Sequence, residues 1–392
     1  MKRAFCISVT AFLLIPLALQ AQIREEYLPL AQMLSTLPER EPTEGNLVEL
    51  LPSNPEQFLL LQDDIMAAKK SIHMEFFIFD ADFAGNVIRT ALRLKALDGV
   101  EVQFIAEDFT TRADFVDRMK KSGVSVKHHP FLPLRPRNHQ KYVLVDGTVG
   151  YTGGMNVARD YFCDWDDMVV RLRGPVVEKM EKAFAKMWAR RHGKPSAYET
   201  KVAEPYEGGV IVQSVDEDPK EKDHLSLKAY IWALEHARHY FYAKTPYFKP
   251  PREFADALVN AALRGVDVRI VIPEHKDSPA AVVVPFERVY FDDLVKAGVH
   301  ILLRTDQFDH AKLMVVDDYL SAVGSINLDV LSMVSNYESN LFFYDCGVAA
   351  QVKQFIVDDL ENCYEVTPER IADYPAWQRN FKWFFRGLGK VF

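Results

Sequence analysis

The spacing of apolar residues along the chain predicts alternating helices and strands. In residues 87–97 and 254–263 apolar side chains recur three and four positions apart, which is typical of amphipathic helices. Each of these segments is followed by a short run rich in β-branched and aromatic residues, 102–105 and 268–272, which predicts a strand. Strands that alternate with helices indicate an α/β fold with sheets flanked by helices.

Two aromatic-rich segments upstream, 72–79 and 240–248, are further strand candidates. Between the two groups of elements, residues 194–209 contain Pro195, Pro205 and a pair of glycines. Proline and glycine interrupt regular structure, so this stretch is predicted to link two halves of the chain.

The chain contains an internal duplication. Gly99-Val100-Glu101-Val102 recurs later in the chain as Gly265-Val266-Asp267-Val268, and His139 recurs as His310 at a similar offset. We therefore predict two tandem α/β repeats, residues 22–199 and 200–373. Duplicated halves commonly pack about a pseudo-two-fold axis, which would bring matching features together in one shared site.

The matching features include a repeated motif, His-x-Lys-x4-Asp. The first copy has His139, Lys141 and Asp146, and the second has His310, Lys312 and Asp317. The apolar run within each copy predicts a strand that ends at the aspartate. Residues i and i+2 of a strand share a face, so each histidine and its lysine are expected to point the same way.

Two further pairs of positions keep the same offset as the two histidines. Asn156 and Asn327 follow a second predicted strand in each half, within Gly153-Gly154-Met155-Asn156 and Gly324-Ser325-Ile326-Asn327. Asp167 and Glu338 lie at equal sequence separations beyond the histidine of their own half. Two carboxylates in the same register predict two His–carboxylate pairs, formed by tertiary contact.

These residue types suit transfer at a phosphodiester. A neutral imidazole can attack phosphorus, and a second, protonated imidazole can donate a proton to the leaving oxygen. Two lysines and two amides can bind the non-bridging oxygens as charge moves in the transition state. The side chains supply the positive charge, so we expect neither a metal nor another cofactor.

The paired motif, with its downstream glycine and asparagine residues, resembles the phospholipase D superfamily, and longer strings resemble bacterial cardiolipin synthases. The resemblance spans about residues 58–385. These strings are Arg137-Asn138-His139-Gln140-Lys141, Trp165-Asp166-Asp167, Arg173-Gly174-Pro175-Val176-Val177, Thr245-Pro246-Tyr247-Phe248, Arg264-Gly265-Val266-Asp267-Val268 and Gly324-Ser325-Ile326-Asn327-Leu328-Asp329.

The resemblance implies two phospholipase D-like α/β repeats with one shared active site and a reaction through a phosphohistidine. His139 would be the nucleophile and His310 the general acid and then the base. The implied catalytic group is the six motif residues, His139, Lys141, Asp146, His310, Lys312 and Asp317, although the two aspartates would have a mainly structural role in turn and interface. The two lysines, with Asn156 and Asn327, would bind phosphate. Asp167 and Glu338 would orient the imidazoles.

The sequence departs from the family pattern in three respects. Gln140 stands where an arginine is common, and Asp167 is one methylene shorter than its counterpart Glu338. In place of two N-terminal membrane helices, the chain has one export-like segment. The last departure bears on location and on the physiological substrate.

The composition of the chain limits the classes of substrate that it is expected to bind. The formal net charge of −8 and the lack of basic stretches argue against a nucleic-acid substrate. The expected reaction is transfer of a phosphatidyl group between two phosphatidylglycerol molecules at a membrane surface, with release of glycerol. Hydrolysis by the same site is the alternative, followed by a nuclease and by a non-enzymatic lipid-binding scaffold. A monomer is plausible because both half-sites lie in one chain.

The two ends of the chain carry their own signals. Lys2 and Arg3 precede an apolar run of residues 4–19, and a small residue, Ala21, follows. This predicts an export signal, residues 1–21, that is cleaved to leave the protein periplasmic or peripherally membrane-associated; an uncleaved anchor is the alternative. Residues 374–392 form a basic, aromatic tail that suits either a membrane interface or a helix docked on the body.

Overall fold

The computed structural model describes residues 15–131, 135–198, 201–274 and 284–375. The helices are α1 (Leu17–Gln20), α2 (Leu28–Leu34), α3 (Pro55–Ala67), α4 (Phe83–Leu97), α5 (Ala113–Lys120), α6 (Asp160–Cys163), α7 (Val176–Arg190), α8 (Leu225–His236), α9 (Arg252–Leu263), α10 (Val284–Lys296), α11 (Cys346–Asp358) and α12 (Pro368–Ala372).

The strands are β1 (Thr43–Pro52), β2 (Ser71–Phe76), β3 (Glu101–Glu107), β4 (Ser125–His129), β5 (Tyr142–Val145), β6 (Val149–Gly153), β7 (Met168–Arg173), β8 (Val210–Glu217), β9 (Tyr240–Lys244), β10 (Phe248–Lys249), β11 (Asp267–Pro273), β12 (His300–Arg304), β13 (Leu313–Val316), β14 (Leu320–Gly324), β15 (Leu328–Asp329), β16 (Glu338–Tyr344) and β17 (Cys363–Glu365).

The two halves are joined through one mixed sheet. The strand order is β17-β12-β11-β9-β13-β14-β16-β8-β1-β7-β6-β5-β2-β3-β4. Read outward from the central pair, β8 and β1 each begin a run of strands with equivalent order in the two halves. Because β1 and β8 pair antiparallel, a pseudo-two-fold axis relates the halves. The duplicated α/β architecture predicted from the sequence is therefore confirmed.

Side-chain alternation along the central strands separates three apolar clusters. Tyr142 and Leu144 of β5 pack in the cluster between the halves, whereas Val143 and Val145 face the outer cluster of the first half. Strand β13 repeats this pattern in the second half. Burial on both faces explains why these strands are continuous apolar runs.

The predicted elements agree with the structure in type. The two helices lie within α4 and α9, and the two runs that follow are parts of β3 and β11. Both aromatic segments end earlier as strands than predicted, at Phe76 and Lys244, and Phe248 begins a separate strand, β10. The predicted linker, of which all but residues 199 and 200 is described, contains no helix or strand in its described part.

The N-terminal segment packs against the half that is distant in sequence. Ile15, Leu19 and Tyr27 are buried with the outer apolar cluster of the second half, and α2 contacts α8. Residues from about 15 to 34 therefore belong spatially to the second half. Most of the apolar run of residues 4–19 and most of the tail of residues 374–392 lie outside the described residues. In the described part of the chain no helix is both long and apolar enough to cross a bilayer.

Candidate active site

Both motif histidines lie in short segments that lead into a strand. Strands β5 and β13 begin one residue after Lys141 and Lys312. Each histidine and its lysine therefore precede the strand that was predicted to contain them. Strand β5 runs antiparallel to β2, and β13 runs antiparallel to β9. Each histidine therefore lies at the sheet edge where the parallel strands of its half end.

Two parallel bridges hold these segments against the opposite half. Asn138 pairs with Tyr337, and Asp309 pairs with Asp166. The backbone N–H of His139 donates to the Tyr337 carbonyl at 2.9 Å. The backbone N–H of His310 donates to the Asp166 carbonyl at 2.6 Å. In both bridges, the residue before a histidine is aligned with the residue before an acid, so the two sites have the same register.

This register places each imidazole beside the acid of the other half. Nδ1 of His139 lies 2.8 Å from Oε2 of Glu338. Nδ1 of His310 lies 2.7 Å from Oδ2 of Asp167. The two predicted His–carboxylate contacts are thus present, and both cross between the halves. A bond at Nδ1 orients each ring and leaves Nε2 as the nitrogen that can act on a substrate.

Burial shifts the proton affinities of these groups. Both histidines are nearly inaccessible, and loss of hydration lowers the pKa of His139 and lowers that of His310 well below its ordinary value. Burial raises the pKa of Asp167 to about 7, against the opposing field of Lys312. The His310–Asp167 pair can therefore hold one shared proton near neutral pH.

The two motif lysines lie next to their histidines, as predicted from the spacing. Nζ of Lys141 donates to the His139 carbonyl at 2.6 Å. Nζ of Lys312 lies 2.7 Å from Nδ1 and 3.1 Å from Nε2 of His310, and it also contacts the His310 carbonyl. Both ammonium groups are fully buried, which lowers the pKa of Lys141 to about 7 and that of Lys312 to about 8. Placing an anion between them would restore their charge.

The two asparagines differ in their contacts. Oδ1 of Asn156 accepts from the Ile78 N–H at 3.0 Å, and its Nδ2 donates to the Tyr161 hydroxyl at 2.8 Å. Asn327 is buried, and its Oδ1 has no hydrogen-bond partner in the described part of the chain. Asn156 is thus held within its own half, whereas the amide oxygen of Asn327 remains an unsatisfied acceptor.

The motif aspartates lie away from the histidines. Asp146 accepts from the backbone N–H groups of residues 69–71, where β2 begins. Asp317 accepts from those of residues 238–240, where β9 begins. Both have positive φ, 53° and 47°, in the turn after the strand. The structure therefore supports the expected turn role and corrects two points: each contact stays within one half, and neither carboxylate belongs to the catalytic set.

The two acids are held differently. Oε2 of Glu338 accepts from the Ser325 hydroxyl, and Oδ1 of Asp167 accepts from the Met168 N–H at 2.7 Å. Gly154 occupies the place of Ser325 in the first half, and a Cβ there would lie 2.1 Å from Oδ1 of Asp167. The carboxylate of Asp167 therefore packs against Gly154, whereas the carboxylate of Glu338 is held by the Ser325 hydroxyl.

A buried ion cluster supports the bridge at His310. Nζ of Lys244 lies 2.9 Å from Asp309 and 3.1 Å from Asp166, and it also contacts Asp359. Arg304 Nη1 lies 3.0 Å from Asp359. These three acids are the one group of carboxylates among the described residues with a spacing that could hold a metal ion. Two buried cations already offset two of the three negative charges, so the cluster is better explained as a structural ion network.

The equivalent place in the first half holds an acid instead. Lys244 pairs with Leu313 and Glu75 pairs with Tyr142, three residues after each histidine, so the two positions correspond. Glu75 accepts from the Asn138 amide at 3.1 Å. Burial raises the pKa of Glu75 to about 8.

Several of these supporting residues were not assigned roles from the sequence. They include Ser325, Lys244 and the aromatic rings around the imidazoles, since Phe77 contacts His139 at a ring separation of 4.9 Å and Tyr161 contacts His310 at 5.0 Å. Ser325 lies within the matched asparagine segment, but its counterpart is Gly154, so the duplication gives no signal for the hydroxyl. The aromatic contacts are tertiary and leave no periodic signal.

Known families and structures resemble the chain over most of its length. The family described as "Cardiolipin synthase, PLD-like domain" matches residues 61–188 and 230–359. The major cardiolipin synthase ClsA of Bacillus subtilis (strain 168) is 34% identical over 358 residues, covering 86% of this chain and 73% of that protein. A cardiolipin synthase of Oceanobacillus iheyensis is 32% identical over 343 residues, covering 83% and 71%.

A solved structure shares the fold. The phosphatidylserine synthase of Haemophilus influenzae Rd KW20 aligns with a TM-score of 0.71 at 17% sequence identity, over 93% of this chain and 98% of that one. Two matched family segments, one in each half, agree with the paired site. The protein is therefore an enzyme of the phospholipase D superfamily, and the chain belongs to its cardiolipin synthase family.

Proposed function

We propose that the protein is a phosphatidyltransferase that joins two phosphatidylglycerol molecules into cardiolipin and releases glycerol. The observation that carries the proposal is the pair of buried imidazole–carboxylate contacts, one from each half, converging with two lysines. Such a site supplies one imidazole as nucleophile and a second as proton donor and then acceptor, which a double displacement needs.

In the first step Nε2 of His139 attacks phosphorus of one phosphatidylglycerol. The bond from phosphorus to the terminal glycerol oxygen breaks, and His310 donates a proton to that oxygen. Glycerol leaves, and the phosphatidyl group remains bonded to His139. Glu338 stabilises the ring of His139 as it becomes positively charged.

In the second step the roles of His310 reverse. It accepts the proton from a hydroxyl of the second phosphatidylglycerol, and that oxygen attacks the phosphohistidine. The bond from phosphorus to His139 breaks, which restores the imidazole and gives a new diester. The two steps conserve protons, because His310 receives the proton that it gave away.

Burial lowers the pKa of both imidazoles, and that of His310 further, so the division of roles rests on the carboxylate partners. The raised pKa of Asp167 keeps one proton available to the His310–Asp167 pair, as a general acid requires. The lowered pKa of His139 keeps its imidazole neutral and nucleophilic at pH 7. Lys141 and Lys312 can bind the two non-bridging oxygens.

Water is the competing acceptor and would give phosphatidic acid. His139 and His310 are only 8% and 5% exposed, so the reacting nitrogens lie below the surface. A recessed site with aromatic walls disfavours bulk water and favours an acceptor delivered as a lipid. We further propose that the reaction takes place on the outer face of the inner membrane, on the basis of the export-like N-terminal sequence.

The test is product analysis by mass spectrometry with phosphatidylglycerol vesicles. Wild type should form cardiolipin and glycerol in equal amounts, and His139→Ala should form neither. His300→Ala is a matched control, because this histidine pairs with Glu365 on the surface, away from the site. Phosphatidic acid as the main wild-type product would replace the proposal with a hydrolase. Absence of any lipid product would reject both.

A further inference from the structure

We propose that the enzyme binds an anionic bilayer through an aromatic surface beside His139, formed by Phe83, Phe109, Phe131, Arg135 and Arg137. This inference rests on the proposed function, because it identifies the surface through which a membrane-embedded substrate would reach the site.

The fold places this aromatic surface at the edge of the active site. Strands β2, β3 and β4 are parallel neighbours, so their carboxyl ends lie along one edge of the sheet. Phe83 follows β2, Phe109 follows β3 and Phe131 follows β4. His139 lies at the same edge, since β5 runs antiparallel to β2.

A short series of contacts connects the surface to the imidazole. The ring of Phe77 contacts that of His139, and the Phe77 carbonyl accepts from the hydroxyl of Thr110. Phe109 is the residue before Thr110. On the other side, Arg137 is two residues before His139, and its carbonyl accepts from the Tyr337 N–H at 2.9 Å.

The aromatic rings are unusually accessible for their size. Phe83, Phe109 and Phe131 are 73%, 57% and 40% exposed, and they are the exposed phenylalanines of the described part of the chain. Phe109 and Phe131 stack with their centroids 4.8 Å apart. Clusters of aromatic rings that are exposed to water are unfavourable in free energy. Such clusters mark surfaces that contact an apolar partner.

The charges on this aromatic surface suit an anionic lipid. The guanidinium of Arg137 lies 4.1 Å from the centroid of Phe131 and 4.6 Å from that of Phe109. Arg135 is exposed and has no ion-pair partner among the described residues. Of the two acids at the end of β3, Asp108 contacts His128 at 2.6 Å, and the buried Glu107 lies 3.8 Å from Nη1 of Arg137. Aromatic rings beside arginines match the boundary between acyl chains and phosphates.

The burial of the site points to the same orientation. A diester that stays in its bilayer can reach His139 only if the membrane lies against the neighbouring surface. Phe109 and Phe131 would enter the interface, with Arg135 and Arg137 at the level of the phosphates. The opposite edge of the sheet, where Leu97 ends α4, would then face water.

The experiment measures how deeply a side chain enters the bilayer and does not depend on turnover. Tryptophan is introduced into the full chain by Phe109→Trp or, as a control, by Leu97→Trp, which is 66% exposed at the opposite edge. Both variants are mixed with vesicles of phosphatidylethanolamine and dibrominated phosphatidylglycerol. Bromine quenches only indoles that enter the acyl region. The added fluorescence of Phe109→Trp should be quenched at least about twofold more than that of Leu97→Trp, since only the former residue enters the apolar interface.

Equal quenching of the two added tryptophans would overturn the inference, even if the N-terminal segment holds the protein on the vesicle. Loss of a dimer in Phe109→Ser/Phe131→Ser, without a difference in quenching, would assign the surface to a second copy and also overturn it. Because quenching needs no catalysis, it separates the two proposals. Quenching without cardiolipin would reject the proposed reaction alone, and cardiolipin without differential quenching would reject the membrane surface alone.

Discussion

The carboxylate of Glu338 lies 2.8 Å from the imidazole of His139, although 199 residues separate them in sequence. Asp167 makes the reciprocal contact with His310 from the first half. Each half therefore supplies a histidine and the acid that orients the other histidine. Neither half contains a complete pair, so loss of one residue should disable the whole centre rather than half of it.

A diester with p-nitrophenolate as its leaving group should distinguish the two histidines. This leaving group needs no protonation, so His310→Ala should still form the phosphohistidine but react poorly in the second step. We expect an initial release of about one equivalent of p-nitrophenolate per enzyme, followed by slow turnover. His139→Ala should release none. The reverse pattern, measured by stopped-flow absorbance, would exchange the nucleophile and the acid.

The pH dependence of kcat/KM should show an alkaline limb between about pH 7 and 8. Lys141 and Lys312 are protonated below their lowered pKa values of about 7 and 8, and they lose their charge as pH rises through them. The diester stays anionic throughout, so its binding should weaken. We expect kcat/KM to fall at least about tenfold between pH 7 and 9. A value that stays level to pH 9 would show that the lysines remain charged in the free enzyme.

The sequence predicted the components of the site better than their arrangement. Matched spacing identified both histidines, both lysines and the two acids, because duplication keeps chemistry in register. It could not show that the His–acid pairs cross between the halves, since this depends on the bridges made by Asn138 and Asp166. It also grouped Asp146 with the catalytic residues, although the direction of the strand carries that side chain to the opposite edge. A motif records common ancestry, and not every residue in it contacts a substrate.

Gly154→Ala should impair catalysis through Asp167. The added Cβ would lie 2.1 Å from Oδ1 of Asp167, so the carboxylate would have to move away from His310. We expect kcat to fall at least about tenfold, because displacement of a positioning group misorients the imidazole. Gly208→Ala is the control: it has a positive φ of 69° but open space around its Cβ position. Equal kinetics for the two variants would indicate that Asp167 does not position His310.

Lys244→Met should destabilise the fold strongly. It leaves Asp166, Asp309 and Asp359 buried around the single charge of Arg304. Removing one partner of a buried ion network costs about 3–5 kcal/mol, whereas a surface pair contributes under about 1 kcal/mol.

The surface comparison is Lys353→Met, which removes a 2.9 Å contact with the exposed Asp318. Thermal unfolding of the two variants, followed by circular dichroism, should show a much larger loss for Lys244→Met. Equal midpoints would mean that the buried acids take up protons at little cost.

The N-terminus can be located by intact-mass analysis of the protein from its native host. Cleavage after Ala21 would give a chain that begins at Gln22. It would remove Ile15 and Leu19 from the apolar cluster of the second half while leaving Ile23 and Tyr27 in place. We expect this processed form in the periplasmic or membrane fraction. A mass that includes Met1 would support an uncleaved anchor.

The positions of Glu75 and Lys244 have a consequence for how the two half-sites can evolve. They occupy equivalent places beside the two histidines, yet one is a buried acid and the other a buried cation. An assembly of two identical subunits must place the same residue at both positions, and a mutation that improves one imidazole as an acid alters the other equally. A single polypeptide that carries both copies is free of that restriction. The fusion of the halves therefore allows natural selection to give the two histidines the different roles proposed for them.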